Sequence, residues 1–246
     1  MKRIAVLSCC IALLLVCQIA VAAPKWPAGS WKTAVVATDD AVHQAEADAA
    51  NVGNMWSINA GGHDIWGEAD QFMYVYKEVS GDFDVAVTVH VLDVDHVNDW
   101  SKAGIMARQT TDADSTNVYV ACRGLDDLVT FQQRPTTGAG SSSERTTPAG
   151  AARPVTVRLT RTGDEFVSGW SLDGGATWEP NISNDGVATT APIVLAMADP
   201  ILLGIAVTSH TAGVMAGAEV EVLGDVTSAV QPAEKLSVSW GAIKAH

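Results

Sequence analysis

The chain has 246 residues, 48% hydrophobic and 17% charged, with 28 acidic against 15 basic side chains and a formal net charge of −13. The apolar content excludes intrinsic disorder, and the acidic balance argues against a surface built to neutralise nucleic-acid phosphates. Only one long apolar run exists, at the N-terminus, which excludes a multi-pass membrane protein and leaves one or two soluble domains.

Residues 1–22 read as a secretory signal. Lys2 and Arg3 precede the apolar stretch 4–16, and Ala20-Val21-Ala22 supplies small residues for cleavage after about Ala22. The expected location is therefore extracellular or periplasmic. Cleavage removes Cys9, Cys10 and Cys17 and leaves Cys122, so no internal disulfide is expected. Cys122 itself reads as a small buried residue of a strand. Residues 23–54 form an N-terminal extension with a first strand or short helix. Its Ala-rich part, 39–51, has the composition of one helix capped by Thr38 or Asp39, or of a surface loop.

From Met55 the punctuation is that of an all-β protein, over a domain at 55–225. Residues 72–76 are aromatic and β-branched, and Ser80-Gly81-Asp82 turns the chain. In 83–91, Phe83, Val85, Val87, Val89 and Val91 take one side while Asp84, Ala86, Thr88 and His90 take the other. Period two of this kind is a half-buried strand. Strands at 103–108, 118–123 and 128–133 follow. The Gly/Ser/Thr-rich segment 136–152 reads as one long loop. Residues 155–161 alternate again, Thr162-Gly163-Asp164 turns into 165–171, and Asp173-Gly174-Gly175 makes a further hairpin turn. Segments 202–209 and 218–223 close the domain, and 226–246 form a linker and tail. Many short strands with Gly-rich turns, and no β-α-β alternation, predict a two-sheet antiparallel sandwich or jelly roll.

Three segments carry a resemblance. They are Gly62-His63-Asp64-Ile65-Trp66-Gly67 leading to Asp70-Gln71-Phe72, then Ser80-Gly81-Asp82-Phe83-Asp84 with 100–108, and finally 158–163 with 170–178. Together they resemble the bacterial secreted domain labelled "regulation of enolase" protein, within the concanavalin A-like lectin/glucanase jelly rolls. The resemblance covers roughly residues 55–224. It implies a concanavalin A-like or laminin-G-like sandwich. It leaves the chemistry open, because that superfamily hosts lectins, adhesion domains, carbohydrate-binding modules and glycosidases.

Glycosidases of that superfamily carry Glu-x-Asp-x-x-Glu on one strand. Here Glu68 and Asp70 begin the pattern, but position 73 is Met. A retaining mechanism needs two carboxyl groups about 5 Å apart, so the motif is incomplete and no catalytic residue is assigned. Acidic loops at Asp93, Asp95 and Asp99 gather hard oxygen donors. Solvated turns are the plainer reading, and a loop-pinning structural Ca²⁺ is the functional one; no other cofactor is expected. The histidines lack zinc spacing. Trp66, Tyr74, Trp100, Arg108, Arg123 and Gln132 are the candidate ligand-binding residues, since sugar rings stack on aromatics while polar groups bond their hydroxyls. Trp170 and Trp178 read as packing residues.

These features predict a secreted, non-catalytic binding module for a glycan or other extracellular polymer, with no nucleic-acid partner and no membrane span. An adhesion domain contacting protein through a sheet edge or the tail is the alternative, and an atypical glycoside-active enzyme the third. Neither the oligomeric state nor the ligand's identity is fixed by the sequence.

Overall fold

The apolar alternation of 83–91 and 155–161 meets in the computed structural model of the chain, where Val85 lies opposite Leu159 and Val87 opposite Val157 in an antiparallel pair. The structure describes residues 23–37, 47–93, 95–124, 128–148, 153–182 and 187–225. The expected signal segment and the C-terminal tail lie outside these residues. Among the described residues none is helical, and no helix is long and apolar enough to cross a membrane.

In chain order the strands are β1 (Lys32–Val36), β2 (Asp48–Val52), β3 (Met55–Ala60), β4 (Ile65–Trp66), β5 (Ala69–Asp70), β6 (Phe72–Val79), β7 (Phe83–Leu92), β8 (Lys102–Arg108), β9 (Asn117–Arg123), β10 (Leu128–Arg134), β11 (Ser142–Pro148), β12 (Val155–Thr162), β13 (Glu165–Ser171), β14 (Glu179–Ile182), β15 (Ala188–Thr189), β16 (Ile193–Val194), β17 (Ile201–Thr208) and β18 (Ala216–Leu223). One sheet has seven strands in the order β1-β6-β17-β8-β9-β10-β11. The other runs β15-β14-β13-β12-β7-β18-β3-β2, with β16 added on β13. A separate two-stranded hairpin pairs β4 with β5. The fold is a two-sheet antiparallel jelly-roll sandwich. Its core is the layer where Val85, Val87, Val157 and Leu159 of one sheet meet Val75, Ile105, Val120, Phe131 and Ile205 of the other.

The seven-stranded sheet departs from simple alternation. Strands β8 and β9 are buried at every position, so both faces are covered. The outer face carries a second apolar cluster of Phe72, Tyr74, Met106, Tyr119 and Ala206, and Ile65 of β4 inserts into it. Burying one such aliphatic side chain contributes about 1.5–3 kcal/mol. The hairpin β4–β5 is thus a cap laid on a sheet face. Close packing extends to the backbone at Gly104, where a Cβ would stand 2.1 Å from the Val120 carbonyl oxygen and 2.6 Å from the Ala121 Cα. Gly104→Ala is expected to destabilise the fold by at least about 1–3 kcal/mol, through overpacking against backbone that cannot yield. Urea unfolding of this variant should show a lower midpoint at an unchanged slope, and an unaltered midpoint would contradict the contact.

Three sequence expectations change. The Ala-rich segment 39–51 is not one helix, because Asp48–Val52 is strand β2, paired with β3. Residues 38–46 lie outside the described residues. Helix propensity is a weak preference, and here the ladder to β3 overrides it. The presumed long loop 136–152 contains β11, an edge strand paired with β10. A polar Ser/Thr segment is enough at an edge, where backbone pairing needs no apolar face. In β7 the inward series ends on Leu92 in place of Val91. The β7–β18 register shifts between Glu219 and Val220, which pair with Val91 and Val89, so His90 is an extra residue and the pleat parity reverses after it. His90 is half-buried and its Nε2 lies 2.9 Å from Glu221 Oε2.

Candidate functional site

The cap is short because its turn is tight. Trp66 pairs with Ala69 across Gly67-Glu68, and Gly67 has φ +63°, the left-handed conformation that a two-residue hairpin places at its first central position. Two aspartates anchor the feet of the cap. Asp70 is fully buried, with Oδ1 accepting from Arg134 Nη2 at 2.6 Å. Its Oδ2 accepts from Arg134 Nη1 at 2.7 Å, Arg108 Nη1 at 3.2 Å and Asn117 Nδ2 at 3.2 Å. Arg134 also donates to the Gly67 carbonyl. Burial pulls the Arg108 guanidinium below its ordinary pKa, and Asp70 opposes that shift. At the other foot, Lys102 Nζ donates to Asp64 Oδ1 at 2.5 Å and to the Ile65 carbonyl at 3.3 Å. Gln132 Nε2 donates to the same carbonyl at 2.8 Å. Lys102 and Arg108 are the two ends of β8, so one strand holds both feet.

A second loop, between β7 and β8, presents Trp100. Its organiser is Asp93, whose buried carboxylate accepts from the Val97 and Asn98 N–H groups at 2.7 and 2.9 Å and from Ser101 Oγ at 2.7 Å. Asn98 Oδ1 then accepts from the Trp100 N–H at 2.9 Å, and Asn98 Nδ2 donates to Thr211 Oγ1 at 3.2 Å. The proposed calcium set does not fit this geometry. Asp93 has both oxygens engaged by N–H and O–H donors, while Asp95 and Asp99 are exposed. Among the described residues no group of three or more His, Cys, Asp or Glu side chains is placed to hold a metal ion. The acidic loop therefore acts as a backbone cap that fixes an aromatic residue.

Between the cap and this loop the outer face of the sheet stays open. A cavity of about 400 Å³ is lined by Asp64, Trp66, Trp100, Lys102, Arg123, Thr130, Gln132, Ser143 and His210. Trp66 and Trp100 are 40% and 48% exposed, in a chain whose Trp26 and Trp56 are buried. The Arg123 guanidinium lies 3.6 Å from the Trp100 ring centroid, a cation–π stack, and Lys102 Nζ lies 5.9 Å from that of Trp66. His210 Nε2 is 3.2 Å from Asp64 Oδ2. Burial lowers the His210 pKa below its ordinary value against the pull of Asp64, which keeps the ring neutral at pH 7. Burial also lowers the pKa of Lys102, again opposed by Asp64. A second cavity of about 270 Å³ adjoins the first, sharing Asp64, Trp66 and His210 and adding His63, Gln71 and Ala37.

Of the six residues singled out in the sequence, the structure brings Trp66, Trp100, Arg123 and Gln132 around this one cavity. Tyr74 and Arg108 stand elsewhere. The Tyr74 hydroxyl is buried within bonding distance of the Met106 and Leu202 carbonyls, and burial raises its pKa. Arg108 belongs to the buried Asp70 cluster. Sequence reasoning missed Asp64, Lys102, Thr130, Ser143 and His210. Lys102 was findable in principle, because it shares outward parity with Met106 and Arg108 on β8 and pairs with Arg123 on β9. His210 follows β17 and carried no spacing signal.

No protein-family model matches the chain, and neither does any curated protein. Solved structures do share its architecture. A functionally unknown protein from Saccharomyces cerevisiae is 17% identical, with a TM-score of 0.54 over 79% of this chain and 92% of that one. The carbohydrate-binding module CBM66 from Bacillus subtilis is 13% identical, with a TM-score of 0.45 over 78% of this chain and 91% of that one. The GH43 protein BlXynB from Bacillus licheniformis, in a K247S mutant, is 11% identical, with a TM-score of 0.48 over 74% of this chain and 38% of that one. At these identities the likeness concerns fold.

Proposed function

We propose that the protein is a secreted, non-catalytic module that binds a glycan on the outer face of its seven-stranded sheet. One observation carries this reading: two exposed tryptophans, Trp66 and Trp100, flank a cavity of about 400 Å³ whose floor is amide, hydroxyl and charged groups. Indole faces accept the C–H faces of a pyranose, and the polar floor bonds its hydroxyls. The rings are held by the capped hairpin and the Asp93 loop, so little ordering cost opposes binding. The non-catalytic part rests on the carboxylates. Among the described residues lining the larger cavity Asp64 is the only one, and it is ion-paired to Lys102. Asp70, the middle acid of the incomplete glycosidase motif, is locked between two arginines, and Met73 lies in the core. Secretion rests on the signal-like residues 1–22. The "regulation of enolase" resemblance is part of the same proposal, since its first two segments supply the cap and Trp100.

The test is calorimetric binding of the mature protein to a panel of polysaccharides. Trp66→Ala and Trp100→Ala should each weaken the bound member at least about tenfold, or ~1.4 kcal/mol. Trp178→Ala, which removes a ring packed under Arg158 away from the cavity, should leave binding unchanged. Binding indifferent to both cavity tryptophans would refute the site.

A further inference from the structure

We infer that the site takes a sugar chain lengthwise, with two successive units seated in the two adjoining cavities. This rests on the glycan reading and extends it from a sugar to a chain. The cavities, of about 400 and 270 Å³, share Asp64, Trp66 and His210, which form the divide between them. A row of rings crosses that divide. Trp100 lines the larger cavity, His63 the smaller, and His210 both. The Trp100 and His210 ring centroids are 6.2 Å apart with planes tilted by 31°. Those of His210 and His63 are 6.3 Å apart with planes 20° from parallel. A single unit stacked on Trp100 leaves the His63 end of the row vacant. A second unit linked to the first reaches it as an intramolecular step, so the freedom lost on association is lost only once.

The chemistry of the smaller cavity suits a sugar unit because its acids are matched within the protein. Asp64 is ion-paired to Lys102 at 2.5 Å, and Asp70 to Arg134 at 2.6 Å and to Arg108 at 3.2 Å. What a ligand meets there is the imidazoles of His63 and His210, the amide of Gln71 and the indole of Trp66. Rings for C–H faces, with neutral groups for hydroxyls, repeat what the larger cavity offers. The dividing wall is also tied together. The Gln71 N–H donates to the Asp64 carbonyl at 2.7 Å, and Gln71 Oε1 accepts from the His63 N–H at 3.1 Å. Asp64 Oδ2 in turn lies 3.2 Å from His210 Nε2. Both cavities share this hydrogen-bonded frame, so a chain laid across them orders little protein.

Titration of the mature protein with xylo-, cello-, laminari- and manno-oligosaccharides, from monosaccharide to hexasaccharide, tests this. Affinities are read from the indole Nε1–H shifts, which stay measurable when binding is weak. For at least one series the affinity should rise about tenfold or more from monosaccharide to trisaccharide and then level off. Two variants act on the smaller cavity. His63→Ala removes the far ring of the row, and Ala69→Phe, at an exposed position of β5, fills the space. Each should collapse the ratio of trisaccharide to monosaccharide affinity toward one. Equal affinity at all lengths, or a ratio untouched by both variants, overturns the two-unit inference and leaves the glycan site standing. Affinity that climbs as steeply from trisaccharide to hexasaccharide, or that only a polymer shows, does the same. Failure of every series and of the parent polysaccharides overturns both.

Discussion

Asp70→Ala is expected to destabilise the protein by about 3–5 kcal/mol, enough to unfold a marginal domain. Asp70 sits fully buried between Arg108 and Arg134, with Asn117 as a further donor. Removing its carboxylate leaves two buried guanidinium groups facing each other with no counter-charge. That penalty exceeds the modest net worth of the intact pair. Asp70→Asn separates charge from shape: it fills the same space, keeps one acceptor oxygen, and should still lose most of the stability. The damage should be localised first at the cap, because Arg134 also holds the Gly67 carbonyl and Asp70 N–H bonds the Ala113 carbonyl. Hydrogen exchange should show the amides of residues 64–71 losing protection before those of the sandwich core. A denaturation midpoint unchanged in both variants would contradict the cluster.

Lys77→Ala is expected to cost a similar amount, about 3–5 kcal/mol, for a related reason. Lys77 lies on β6 at the parity of Met73 and Val75, which point into the core. A lysine there is tolerable only with partners. Its Nζ donates to Asp225 Oδ1 at 3.1 Å and to the Pro27 carbonyl at 3.1 Å, and stands 4.6 Å from the Trp31 ring centroid. Asp225 Oδ2 accepts from Trp31 Nε1 at 2.8 Å. This buried pair therefore ties the N-terminal segment and the end of β18 to the seven-stranded sheet. Asp225→Ala should be about as damaging as Lys77→Ala. The double change Lys77→Met with Asp225→Leu should recover much of the loss, because two apolar groups replace two stranded charges. Chemical denaturation of the unmodified protein, Lys77→Met, Asp225→Leu and the double variant gives the cycle. Additive losses, with no recovery in the double variant, would show that the pair does not act as a unit.

The sandwich was legible because its strands repeat with period two. Phe83 to Val89 and the series Val155, Val157, Leu159 each announce one inward face. Where both faces are buried, that signal fails. Strand β8 reads Lys-Ala-Gly-Ile-Met-Ala-Arg, and nothing local says that its outward residues lie under a cap. The candidate site was half legible. Trp66, Trp100, Arg123 and Gln132 come from a hairpin, a loop and two strands, and aromatic and polar chemistry was enough to single them out. The same chemistry also drew in Tyr74 and Arg108, whose environments depend on the cap covering them. Asp93 shows the converse limit. Its sequence neighbours suggested a cation, yet its oxygens are consumed by backbone N–H groups of its own loop. Local hydrogen bonding of this sort depends on backbone geometry that composition does not encode.

The most direct measurement follows the indole Nε1–H signals of the ¹⁵N-labelled protein during titration with a panel of polysaccharide fragments. The signals of Trp66 and Trp100 should move as the ligand saturates, and those of the buried Trp26 and Trp56 should stay in place. Saturation by a saccharide that leaves Trp66 and Trp100 unmoved, or that shifts Trp170 and Trp178 instead, would contradict the assignment of the site to the open end of the capped sheet face.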